Sequence, residues 1–274
     1  MAEFSGHLSL LAATREHGGR TVLARQSFRA PFHISKPYWN PDTRALVVQV
    51  VNPTAGILAG DRLESQIAVD PEAALVVTTP SASRVFQMRG GAAECHQHFV
   101  VADGGWLEVM PEPLVPHRGS RYHQVTTLDI APTGGAFFVD QLMPGRIGHG
   151  EAWAWERLCL ELKVRVGGEL VLQERLDQAG ESLRAAAELF GSGATACFAN
   201  AVLLGSTNGD SAWRQELAAL HTDGVWLGVS TLRSGGWSIK LVARDAVRLR
   251  ETLWATRQLL APHFPRLRSD LRKL

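Results

Sequence analysis

The chain has 274 residues, 45% of them hydrophobic and 20% charged, with a formal net charge of +1. That balance suits a soluble globular fold with a sizeable core. It gives no electrostatic footprint for nucleic acid, and no apolar run is long enough to cross a bilayer. Cys95, Cys159 and Cys197 are far apart and form no Cys-x-x-Cys pair, which argues against a disulfide framework or a structural zinc site. With no export signal visible, a reducing compartment, the cytoplasm, is expected. Apart from Lys36, Lys163, Lys240 and Lys273 the basic residues are arginines, which suit bidentate pairing at interfaces.

In chain order, His7–Leu11 is predicted as a first strand, His17-Gly18-Gly19-Arg20 as a turn and Thr21–Ser27 as a returning strand. Phe28–Tyr38 alternates between two prolines and reads as an edge strand. Leu46–Val51 is an apolar, β-branched strand, stopped by Asn52-Pro53. The loop that follows is built of small residues, Ala55, Gly56, Ala59 and Gly60, and ends on Asp61. Local chemistry alone reads it as a hairpin turn. It has no Gly-Lys-Ser/Thr, so it is not a phosphate-cradling loop, and its glycine spacing does not suit a dinucleotide.

Arg62–Val69 and Ala73–Thr79 follow as strands across an Asp70-Pro71 turn, then a small-residue loop over Pro80–Phe86. Strands are predicted at Ala93–Val101, Trp106–Met110, Tyr122–Ile130 and Ala136–Val139, and a long hairpin across Gly167-Gly168 over Glu151–Arg175. Glu181–Phe190 is predicted as a helix, Cys197–Gly205 as a strand, and Asp210 or Ser211 as the cap of a helix carrying Trp213, Leu217 and Leu220. Val225–Leu232 and Trp237–Val242 form a hairpin, and a last helix runs from Asp245 to Leu260. Evenly spaced short strands imply a mainly β fold, a sandwich, barrel or solenoid, with two or three α-helices toward the C-terminus. No linker is evident, so one domain over 1–274 is expected.

Several polar groups are candidates for chemistry. On a strand, His96 and His98 share one face and Cys95 takes the other, so the two histidines could contact a metal, although a firm site needs more ligands. His117, Arg118, Arg121 and His123 could form a protein-contact rim. Asp61, Asp140, Glu151 and Glu174 adjoin apolar strands, and carboxylates so placed either serve turns and surface or line a water-filled passage for a divalent cation. No Ser-His-Asp arrangement or metallohydrolase helix motif is present, so the chain is not expected to be an enzyme.

Asn52-Pro53-x-x-Gly56-x-x-x-Gly60-Asp61 resembles the signature loop of the UreD (UreH) urease accessory protein family, with Ala55 and Ala59 where the family usually has glycine. Thr78-Thr79-Pro80, Leu107–Pro116 and Met143-Pro144-Gly145-Arg146-x-x-x-Gly150-Glu151 are similar to further family motifs, so the likeness spans about Phe28 to Pro265. The resemblance implies a flattened, β-helix-like stack of strands and a maturation factor without catalytic turnover. It implies binding to apo-urease and, with UreF and through it the GTPase UreG, delivery of nickel along an internal passage. No tightly bound cofactor is implied, only transient nickel. Asp61, Thr78, Asp140 and Glu174 would line the passage, and Asn52, Pro53, Gly56 and Gly60 would shape its wall. Two other readings remain: a β-rich scaffold with no metal role, and a carbohydrate-binding or hydrolase domain using the eight tryptophans as stacking platforms.

Overall fold

The computed structural model describes residues 5–15, 19–191, 193–205, 213–233 and 235–271. Within them the chain is mainly β and solenoid-like. It shuttles between two sheets. Ala45–Val51, Ala74–Thr78, Trp106–Met110 and Gly135–Leu142 lie side by side in one sheet, and their successors Arg62–Val69, Ala93–Val101, Arg121–Ile130 and Arg157–Val166 lie side by side in the other. Each step stacks in parallel on the last. One row runs Leu46, Leu75, Leu107, Ala136, and the facing sheet carries Ile67, Phe99, Leu128, Val164.

Tight turns return the chain from the second sheet to the first. Ala73 N donates to Asp70 O, Gly105 N to Ala102 O and Gly134 N to Ala131 O, at 3.2, 3.0 and 2.9 Å. Antiparallel strands close the stack. Ser5–Thr14 pairs in parallel with Arg62–Val69 and antiparallel with Thr21–Arg29, while Glu169–Gln178 completes the other edge of that seven-stranded sheet. Cys197–Leu204, Trp237–Ala243 and Val225–Thr231 extend the other sheet antiparallel from Gly135–Leu142.

The strand sequences follow from what covers each sheet. Ala74–Thr78 and Trp106–Met110 are buried at every position, because the second sheet covers one face of theirs and helices Trp213–Ala218 and Ala246–Leu260 cover the other. Arg121–Ile130 alternates half-buried and buried throughout, as a strand with one solvated face must. The last helix starts where expected: Asp245 caps it, its side chain accepting from Arg248 N at 2.8 Å. Leu249, Leu253 and Leu260 form its buried stripe.

Four expectations are corrected. Phe28–Tyr38 is not one edge strand: Phe28 and Arg29 end the preceding strand, His33–Ile34 forms a two-residue strand at the sheet edge, and Tyr38–Asn40 begins afresh. Pro31 and Pro37 cannot donate to a ladder, so pairing breaks at each. The long hairpin begins only at Arg157; Trp153 has φ 59°, which no strand accommodates, and it packs with Trp155 in a buried pair 5.3 Å apart. Pro80–Phe86 contains a short strand, Ser83–Val85, paired with Leu114–Pro116. The Asn52–Asp61 stretch is no hairpin turn but the crossing from one sheet to the other. The expected helix cap at Asp210 or Ser211, and His17 and Gly18 of the expected turn, lie outside the described residues.

Candidate functional site

The crossing loop is held by its own polar atoms. Asn52 Oδ1 accepts from Thr54 N at 3.0 Å and from Thr54 Oγ1 at 2.6 Å, and Pro53 is exposed beside them. Ile57 N donates to Arg84 O, and Phe86 N to Ile57 O, stitching the loop to its neighbour. Gly56 has φ 155°, and a Cβ there would lie 2.6 Å from both Arg84 O and the Phe86 ring. Gly60 has φ 84° with open space around it, and its N–H donates to Ala92 O. Asp61 clasps the bend: its Oδ2 accepts from Leu58 N at 2.8 Å, and its N donates to Leu58 O at 3.1 Å.

Behind this loop the two sheets do not close. A cavity of about 180 Å³ reaches from Asn52, Thr54 and Gly56 inward past Thr78 to Asp140. That is room for several waters or a hydrated ion. Asp61 is not part of its wall. Its wall is mostly apolar, but polar side chains interrupt it at inward-facing strand positions. Ser65, Gln97 and Thr126 stand in register on three successive strands, with Cys95 and Gln124 two residues before Gln97 and Thr126. They are linked: Thr126 Oγ1 donates to Gln97 at 3.2 Å, Gln124 Nε2 donates to Thr126 Oγ1 at 3.4 Å and Tyr122 donates to Gln124 Oε1 at 3.1 Å. Thr78 is fully buried and spends its hydroxyl proton on Met110 O at 2.9 Å.

Asp140 lines both this cavity and a second one, of about 520 Å³, that also borders Glu174, Asn200 and Lys240. Gln124 Nε2 reaches Asp140 Oδ1 at 3.5 Å. Asp140, Asn200 and Lys240 form one row across adjacent strands. Glu174 crosses from the facing sheet to meet that row: Asn200 Nδ2 donates to it at 2.7 Å, and Lys240 pairs with it while donating to Asn200 Oδ1 at 2.8 Å. Burial pushes the Asp140 carboxyl up to about 7; Glu174 adds to this, and the Gln124 hydrogen bond and Lys240 oppose it. Burial likewise pushes the Cys95 thiol up to about 11 and the Tyr122 hydroxyl well above its usual range.

Residues 5–272 match the family described as UreD urease accessory protein. The chain belongs to that family. A urease accessory protein UreD from Opitutus terrae is 63% identical over 272 residues, covering 99% of this chain and all of that protein. UreD proteins from Yersinia pseudotuberculosis and Yersinia enterocolitica are 42% identical over 147 residues, 53% of this chain and 45% of each of theirs. The UreD assignment rests on the whole length of the chain, so it does not depend on the departures at Ala55 and Ala59.

Set in a UreD chain, the remaining candidates lie elsewhere. His96 and His98 are exposed on the outer face of the seven-stranded sheet, and His98 Nε2 sits 2.7 Å from Asp129. Neither joins a group of three metal-ligating donors among the described residues. Arg118 donates to Gly150 O at 3.1 Å, and Arg121 pairs with Glu156 at 2.6 Å. Glu151 is gripped by Arg146 at 2.9 and 2.7 Å, which holds its carboxyl below the usual range. His117 is buried against Phe86, ring centroids 4.8 Å apart, and burial holds its ring toward the neutral form. Sequence reasoning missed Cys95, Gln97, Gln124, Thr126, Asn200 and Lys240. The available signal was a run of polar residues in the inward phase of alternating strands.

Among the described residues, no helix is long and apolar enough to cross a membrane.

Proposed function

We propose that this chain is a urease maturation factor without catalytic turnover, and that it passes nickel between its two sheets to apo-urease. UreF would dock on it and bring the GTPase UreG, the source of the ion. The observation that carries this reading is Asp140, a carboxylate that lines two cavities and is continued by Asn200, Lys240 and Glu174 toward the sheet edge. Oxygen and amide donors along such a route hold a borderline cation weakly enough to release it. Thr78, Asp140 and Glu174 would touch the ion in turn. Asp61 would act at a distance, by keeping the Asn52–Gly60 loop in shape at the mouth. All three cysteines are free and buried, which suits a reducing compartment such as the cytoplasm.

The carbohydrate reading loses its physical basis, because all eight tryptophans are buried or half-buried and none is fully exposed as a stacking platform. A pure scaffold is the reading that remains to be tested against. Apo-urease activated with UreF, UreG and this chain carrying Asp140→Ala should form the full complex yet contain little nickel. Nickel content equal to wild type would leave the scaffold as the better account.

A further inference from the structure

On the outer face of the seven-stranded sheet three unlike donors converge. His123 and Cys159 are register partners on adjacent strands, and Glu161 follows two residues after Cys159 on the same face. His123 Nε2 lies 3.2 Å from Glu161 Oε1, and Cys159 Sγ lies 3.8 Å from that same oxygen. All three donor atoms fall within 4.8 Å of one another. Donors that share a tetrahedral ion, with bonds of about 2.0–2.3 Å, sit about 3.3–3.8 Å apart. The side chains therefore already stand near the separations that one ion would impose.

The surroundings fit a cation that comes and goes. Cys159 is buried, Glu161 is mostly covered, and His123 opens to water with 39% of its side chain exposed. Three protein donors plus a solvent-facing side leave one position for water, the pattern of exchangeable sites rather than closed structural ones. Arg175 Nε stands 3.7 Å and Lys163 Nζ 4.0 Å from Glu161, so the carboxylate is compensated when no ion is bound. Arg175 also holds Asp177 at 2.8 Å, with Arg157 on the other side, so it keeps a partner when Glu161 turns to an ion. Among the described residues, His96 and His98, on the same sheet face, have no such third donor.

We propose that His123, Cys159 and Glu161 form a binding site for a borderline divalent cation of the cobalt, nickel and zinc class. A thiolate and an imidazole exclude magnesium and calcium, which demand oxygen ligands. The ion takes the place of the Cys159 thiol proton, which leaves to water. The site lies on the outer face of the sheet with Glu161 and Arg175, while Leu162 and Glu174, one residue along each strand, face the second cavity on the other side. It requires neither Asp140 nor Glu174 and does not rest on the passage reading.

Cobalt(II) titrated into the full-length chain tests this, because a cobalt–thiolate bond gives a near-ultraviolet charge-transfer band and tetrahedral cobalt gives intense visible bands. Both should rise to one equivalent, and nickel or zinc should displace the cobalt. Cys159→Ser should abolish the charge-transfer band. Glu161→Gln and His123→Gln should each weaken binding at least about tenfold, since even an outer-shell loss costs that much at a metal site. His98→Gln, on the neighbouring strand, should change nothing, and circular dichroism confirms that each variant is folded. No thiolate band at one equivalent, a band that survives Cys159→Ser, or full affinity in both Glu161→Gln and His123→Gln would overturn the assignment.

Discussion

Arg257 and Glu108 form a bidentate ion pair in the interior, Nε to Oε1 at 2.6 Å and Nη2 to Oε2 at 3.1 Å, with neither side chain more than 6% exposed. The pair joins the last helix to the strand Trp106–Met110, and Arg257 also donates to Ser269 O at 2.6 Å. Removing one partner strands the other charge away from water, a loss of about 3–5 kcal/mol. Arg257→Met should therefore lower the unfolding free energy by that amount in urea titrations. Glu108→Leu combined with Arg257→Met should recover a large part of it, because no charge is then left buried alone.

Asp140 should make stability depend on pH. Its folded pKa of about 7 lies above the 3.8 of an unperturbed aspartate. Its contribution is therefore fully present below about pH 4 and is lost as pH rises toward and through 7. Asp140→Asn removes that loss. In thermal melts, the variant should gain on wild type at pH 8.5, and gain less or nothing at pH 5.

Glu174→Gln should separate the route from the scaffold. The amide keeps a side chain able to bond Asn200 but removes the charge that Lys240 neutralises. The expected result is normal co-purification with UreF and urease, and a nickel content in urease reduced severalfold. Metal analysis of the isolated urease reads it directly.

The crossing loop should respond unequally to alanine at its two glycines. At Gly56 a Cβ would meet Arg84 O and the Phe86 ring at 2.6 Å, so backbone must shift. At Gly60 nothing lies within 4 Å, and only the φ of 84° is strained. Gly60→Ala should cost about 1–2 kcal/mol, and Gly56→Ala clearly more, in equilibrium unfolding. Equal costs would mean that the loop relaxes freely at its crossing point.

Much of the fold was legible because its signals are local. Ala93–Val101 and Trp106–Met110 match the strands read from alternation and glycine turns residue for residue. The Asp245 cap and the Leu249, Leu253, Leu260 stripe announce the last helix in the same way. At Phe28–Tyr38 the two prolines carried the signal for broken pairing, whereas the start of the hairpin depends on the positive φ of Trp153, which its surroundings set.

By itself, the sequence determined that this is a strand-rich chain of the UreD family, because motif spacing and alternation are written along the backbone. Only the tertiary structure decided that Asp61 clasps a bend while Asp140 faces a cavity, and that Glu174 meets Lys240 across two sheets. Carboxylates beside apolar strands look alike in one dimension. Which of them loses water, and whose charge it then meets, is set by register between strands about 30 residues or more apart in the chain.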